Sequence, residues 1–280
     1  MDGDYDDFDD AEQPNCFIRT GKNKSEFSGG YGNIMFKVKY RTIGLLLLIF
    51  MLLTACGSSS QGEESGTREG FSIHEISDEL FERMQAGNTY KEDCIVPRED
   101  LRYLLVLHKD KDGNTHQGEL VVHKLIAEDV LEIFEALYDA DYPIERMVLP
   151  DNYMADDEMM MRDNNSSCFN FRFISHTTKV SKHGLGMAID INTLYNPYHK
   201  IVTNADGTTE EVIEPATGAP YLDRTQEFEY KIDKDDLCYQ LFTEKGFEWG
   251  GDWTDRKDYQ HFELPTEITD KYSEMYANAK

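Results

Sequence analysis

The stretch SKHGLGMAID, residues 181–190, sets His183 and Asp190 at opposite ends of a run of glycine and small apolar residues. Asp190 sits inside the alternating apolar segment MAIDIN, and burying a lone carboxylate there is costly unless a cation pairs with it. A metal ion meets that demand. Imidazole nitrogen and carboxylate oxygen are typical zinc ligands, and a hydrolytic zinc takes three protein ligands with water in the fourth position. The third candidate is His261 in DYQHFE, where an aromatic-rich, alternating strand again presents a polar side chain. Asp258, three residues earlier, is close enough to reach a water on the metal without being a ligand, which is the placement of a general base. His183 and Asp190 are an odd number of residues apart, so a flat strand would aim them at opposite faces. Gly184 and Gly186 permit a bulge or turn that brings both onto one ion. His74, His108, His116, His123 and His199 have no comparable setting, whereas His176 lies nearer the motif.

Several elements must position these residues. Ile73, Ile76, Leu80 and Met84 recur at helical spacing and predict a helix that stops at Gly87. LRYLLVLH (101–108) and GELVVHK (118–124) read as a hairpin around KDKDGNTHQ, a solvated turn that lacks the remaining positions of a calcium loop. AEDVLEIFEALYDA (127–140) has Val130, Ile133, Phe134 and Leu137 on one face and acids at its start, which suits a helix dipole. YPIERMVL (142–149) and SCFNFRFI (167–174) read as strands, and the methionines of DDEMMMRDNN as a helical turn with one buried face. Residues 196–230 are Pro/Thr/Glu-rich and read as a long excursion from the domain. DDLCYQLFTEKG (235–246) predicts a short helix, and FEWGGDW with DYQHFEL predicts strand, turn and strand. With no repeat and no second core, the pattern gives one α+β domain over residues 71–275.

The chain has 280 residues, 40% of them hydrophobic, which suffices for a core. A net charge of -26 excludes nucleic acid as a partner, since phosphate binding needs a basic surface. Lys37, Lys39 and Arg41, the uncharged run Ile43 to Leu53 and then small residues before Cys56 form a secretory signal layout. Residues 53–56, Leu-Thr-Ala-Cys, resemble the lipobox of bacterial lipoproteins, in which the cysteine is acylated and becomes the mature N-terminus. The expected organisation is an N-terminal extension (1–34), a signal peptide (35–55), a Gly/Ser/Glu tether (56–70) and the folded domain. Translation starting at Met35 accounts for the polar, acidic extension, and a disordered cytoplasmic tail before an uncleaved anchor is the alternative. The lipoprotein reading places the domain at the cell envelope, lipid-anchored through Cys56 to the outer face of the bacterial cytoplasmic membrane or exported, whereas the uncleaved anchor would hold it by the apolar run. Export would leave Cys94, Cys168 and Cys238 in an oxidising compartment, with at most one intramolecular pair among them.

SKHGLGMAID followed by WGGDWTDRKDYQHFE resembles the SxHxxGxAxD and WGGxW...DxxHF motifs of the M15 family of zinc D-Ala-D-Ala carboxypeptidases, dipeptidases and L-Ala-D-Glu endopeptidases. The resemblance covers residues 93–265 and implies a small antiparallel sheet flanked by helices. It also implies Zn2+ held by His183, Asp190 and His261, Asp258 as the catalytic carboxylate, and peptidoglycan stem peptides as substrate. Many members carry glutamate at the catalytic position; aspartate is similar to the endopeptidase branch, and the choice of bond stays open. Arg172 in FNFRF matches the family arginine that contacts the substrate carbonyl or carboxylate, where a fixed cation would stabilise an oxyanion. Ser181 matches the family serine, a partner for substrate or for its own loop, and Trp253 matches a cleft wall. A non-hydrolytic zinc-containing cell-wall binding module is the rival reading, and the oligomeric state stays open.

Overall fold

A computed structural model describes residues 68–174, 177–204 and 206–279. The extension, the signal layout, Cys56, most of the tether and His176 lie outside the described residues. No helix among the described residues is long and apolar enough to cross a membrane. The described chain is α+β, but it holds three small antiparallel sheets where the sequence suggested one.

The first sheet pairs β1 (Ser72–Glu75), β2 (Leu101–Lys109) and β3 (Thr115–His123) in the order β1-β2-β3. The segment from Ile73 is therefore not helical throughout. Ile73 lies opposite Leu104 in the ladder, and the helix α1 (Asp78–Ala86) starts only after Ser77, whose hydroxyl accepts the Leu80 N–H at 3.2 Å. The open edge of β2 supplies hydrogen bonds that outweigh the accidental helical spacing of Ile73 and Ile76. Helix α2 (Ala127–Asp139) turns Val130, Ile133, Phe134 and Leu137 inward, as its pattern predicts. Residues 142–149 are extended and bury Ile144, Met147 and Leu149, yet they make only isolated bridges, such as Lys109 to Pro143. Pro143 has no N–H for a ladder. Residues 167–174 likewise join their neighbours through single bridges, and Cys168, Phe169, Asn170 and Phe171 are all buried in sequence, so no alternation survives.

The second sheet places β4 (Ala188–Asp190) beside β9 (His261–Glu263), which also pairs β7 (Glu248–Trp249). Its register sets Asp190 opposite His261 and Ile189 opposite Phe262. Phe262 stacks on Phe242 of the helix α4 (Leu237–Glu244) at 4.5 Å between centroids, and Phe134 and Phe247 meet Phe242 edge-on. This aromatic cluster fixes the strand that carries His261. Phe262→Ala should cost about 3–5 kcal/mol, read as a fall in the denaturation midpoint.

The third sheet corrects the reading of residues 196–230. β5 (Tyr198–Thr203) and β6 (Thr209–Glu214) form a hairpin, and β5 pairs in turn with β8 (Lys257–Asp258) through Tyr198 opposite Asp258. Two further helices complete the described chain. The short α3 (Asp157–Arg162) buries Met160 and exposes Met159, as a turn with one buried face requires. α5 (Thr266–Ala279), which the sequence reading did not predict, docks through Tyr276. Its hydroxyl donates to Asp100 at 2.6 Å and accepts from His123 Nε2 at 2.7 Å. Cys94, Cys168 and Cys238 are thiols, and all three are buried.

Candidate metal centre

The His183 segment is shaped by its glycines and by Ser181. His183–Leu185 form a 3-10 turn, and the Ser181 hydroxyl accepts the Gly184 N–H at 3.0 Å, so this serine serves its own loop. Gly186 ends the turn at φ +68°, where an added Cβ would come within 2.8 Å of the His123 nitrogen. The turn swings His183 to the side of the strand from which Asp190 projects.

His183, Asp190 and His261 bring their ligand atoms within 4.8 Å of one another. His183 Nε2 lies 3.1 Å from His261 Nδ1 and 3.2 Å from Asp190 Oδ2, and His261 Nδ1 lies 2.9 Å from Asp190 Oδ1. The outer nitrogens fix which inner ones face the centre. His183 Nδ1 lies 2.9 Å from the Cys168 carbonyl, which can only accept, so that nitrogen carries the proton and Nε2 points its lone pair inward. His261 Nε2 lies 2.9 Å from Glu263 Oε2 and is fixed in the same way, with Nδ1 facing inward.

Charge follows geometry. Burial alone would lower the His261 pKa, but its hydrogen bonds to Asp190 and Glu263 prevail and raise it to about 10. Burial alone would raise Asp190, yet the imidazoles of His183 and His261 hold it well below the ordinary carboxylate range. The metal-free cluster thus keeps a proton on His261 Nδ1 where two nitrogens and a carboxylate converge. This donor set fits a divalent cation of the zinc type, which would take the place of that proton. Because His261 must lose a proton to become a ligand, zinc affinity should rise with pH. Calorimetric zinc titration near pH 7 in two buffers of different ionisation enthalpy should show net proton release.

Asp258 lines the same cleft, which encloses about 830 Å³. Its Oδ1 is buried without a hydrogen-bond partner. Burial pushes this carboxyl up to about 7, with His261 opposing the rise and Asp190 adding to it. Strand β8 lies flush against Gly250, where an added Cβ would sit 2.5 Å from the Asp258 carbonyl oxygen. The first glycine of WGGDW therefore sets the depth of Asp258.

The other sequence candidates divide cleanly. Arg172 lines the cleft, and its Nε pairs with Asp157 Oδ2 at 2.9 Å. Trp253 lines it too, with its ring 5.5 Å from that of His261 and the Arg256 guanidinium 4.1 Å from its centroid. Of its neighbours in WGGDW, Trp249 is a core residue whose Nε1 donates to the Tyr259 carbonyl, and Asp252 pairs with Lys234 away from the cleft wall. His74, His108, His116, His123 and His199 each bond elsewhere, to Ser72, Ile144, Asp110, Tyr276 and Glu211. Sequence reasoning did not name Glu263, although it lies two residues from His261 in a strand and so shares its face. It also missed Tyr198, Lys200 and Glu214, which the hairpin brings to the cleft and which no local pattern marks.

No curated protein and no solved structure matches the chain. Residues 175–264 match an M15 peptidase family model described as D-alanyl-D-alanine carboxypeptidase, a span that includes His183, Asp190, Asp258 and His261 and leaves Arg172 outside.

Proposed function

We propose that this chain is a zinc-dependent peptidase that hydrolyses peptide bonds in peptidoglycan stem peptides. The observation that carries the reading is the convergence of His183, Asp190 and His261 beside a buried, unpartnered Asp258 oxygen in one cleft. The family match supports it. Zinc, when bound by His183 Nε2, Asp190 and His261 Nδ1, supplies a Lewis acid that polarises the scissile carbonyl and acidifies a water. Asp258 accepts the proton of the attacking water and later gives it to the leaving amine. Burial, which disfavours the charged carboxylate, makes Asp258 a readier acceptor of that proton than an exposed aspartate. Arg172, steadied through its Nε by Asp157, turns its remaining donors to the oxyanion or to a substrate carboxylate. Trp253, wedged between Arg256 and His261, forms a rigid wall for the peptide.

The exported, lipid-anchored form belongs to the same proposal, because the substrate is an immobile polymer next to the membrane. Intact mass of the native protein should give an acylated Cys56 as its first residue; a species retaining residues 1–34 would overturn that part. For the reaction, the purified chain is incubated with zinc and defined muropeptides, and products are read by mass. Release of terminal D-alanine identifies a carboxypeptidase, and release of the stem at the L-Ala-D-Glu bond identifies an endopeptidase. Intact muropeptides in the presence of zinc-loaded protein would favour a binding module instead.

A further inference from the structure

Glu263 and His261 leave strand β9 on the same face, and the carboxylate does two things at once. Its Oε2 accepts from His261 Nε2 at 2.9 Å, and its Oε1 lies 2.8 Å from Lys182 Nζ. Lys182 directs its other bonds to the Leu264 carbonyl at 2.9 Å and to Thr266 Oγ1 at 3.1 Å, the latter on the first residue of α5. Both side chains are only 12% exposed, so the pair is held away from solvent screening. The two imidazoles are thus oriented differently: His183 by a backbone carbonyl, His261 by a carboxylate that is itself clamped.

We propose that Glu263 is the positioning residue that aims His261 Nδ1 at the metal and raises its basicity, and that Lys182 holds Glu263 in that rotamer, tying zinc affinity to the seating of α5. The inference rests on the reading of His183, Asp190 and His261 as zinc ligands, and not on the peptidase reaction. Two physical arguments carry it. An imidazole is free to turn about its χ2 axis unless its outer N–H has a fixed acceptor, and a carboxylate acceptor makes the inner nitrogen a stronger donor than a carbonyl does. Charge balance gives Lys182 its place. Lys182 cancels Glu263, so that the charge of Glu263 is not added to those of Asp190 and Asp258 around a divalent ion. Without Lys182, Glu263 would be an uncompensated buried anion, drawn away from His261 toward water.

The test is zinc affinity, measured by competition with a chromophoric chelator on the full chain. Glu263→Ala should weaken zinc binding about 10–100-fold, the loss typical of removing an outer partner of a ligand histidine. Glu263→Gln, which keeps an acceptor oxygen without the charge, should lose less. Lys182→Met should weaken binding, and Lys182→Arg should restore most of it. Thermal unfolding of each metal-free variant shows whether it folds, and Glu263→Gln, being isosteric, tests the idea even if Glu263→Ala does not fold. Cobalt substitution adds a spectroscopic readout: the visible bands should shift in Glu263→Ala and stay near wild type in Lys182→Arg. Zinc affinity within twofold of wild type in both Glu263 variants would overturn the proposal. A wild-type chain that binds no zinc would instead overturn the ligand assignment beneath it.

Discussion

Asp258→Asn should reduce peptide hydrolysis about 100- to 10,000-fold, the range that general acid-base catalysis contributes, while the zinc content per chain stays at the wild-type value. The amide fills the same volume on β8 and keeps the strand flush with Gly250, but it cannot take up the proton. The substitution carries a second expected effect of opposite benefit. Burial raises the folded pKa of Asp258 above its unfolded value, so its contribution to stability is fully present below the unfolded pKa near 4 and is lost as pH rises through about 7. In the metal-free protein, Asp258→Asn should therefore unfold at a higher temperature than wild type at pH 8, and that advantage should shrink at pH 5. Melting curves at the two pH values, beside turnover and metal analysis at neutral pH, read all three expectations. A variant that cleaves at the wild-type rate would remove Asp258 from the mechanism. A site that gives up stability for reactivity is the usual arrangement where a group must be poised for chemistry.

The second large effect is expected at the metal ligands. His183→Ala removes the nitrogen that shares the centre with His261 Nδ1 and Asp190, together with the bond to the Cys168 carbonyl. Two ligands remain, and a Lewis acid worth several kcal/mol to the transition state is lost, so activity should fall about 1,000-fold or more. Zinc should be absent from the dialysed variant by elemental analysis. The contrast with Asp258→Asn separates holding the ion from moving the proton: one variant is metal-free and inactive, the other metal-replete and inactive. Retention of stoichiometric zinc by His183→Ala would mean that the cluster is assembled from other groups.

Much of this centre was legible because polar residues stood out against apolar alternation. Asp190 within MAIDIN and His261 within DYQHFE are each anomalous in a buried strand, and the glycines between His183 and Asp190 announce a turn. The sequence does not hold the register that sets Asp190 opposite His261, because strand pairing across a separation of 71 residues is decided by packing of the Phe242 and Phe262 cluster. The hairpin of residues 198–214 was hidden for a different reason. Many of its side chains are exposed on both faces, so no in-and-out pattern exists to be read. The strands expected at 142–149 and 167–174 failed because their apolar residues are buried on extended chain that meets its neighbours only through isolated bridges, not a continuous ladder. α5 escaped notice because its inward residues are few, with Thr269 and Tyr276 buried and Ile268 and Met275 exposed.

The burial of the three thiols has a practical consequence. Cys168 and Cys238 are shifted well above the ordinary thiol range by burial, so the native fold presents little thiolate to an alkylating reagent. Alkylation must then wait for local opening, and its rate becomes a clock for breathing of the structure. Since the Cys168 carbonyl also anchors His183, the labelling rate of this one sulfur should report whether the ion-binding end of the molecule loosens before the rest.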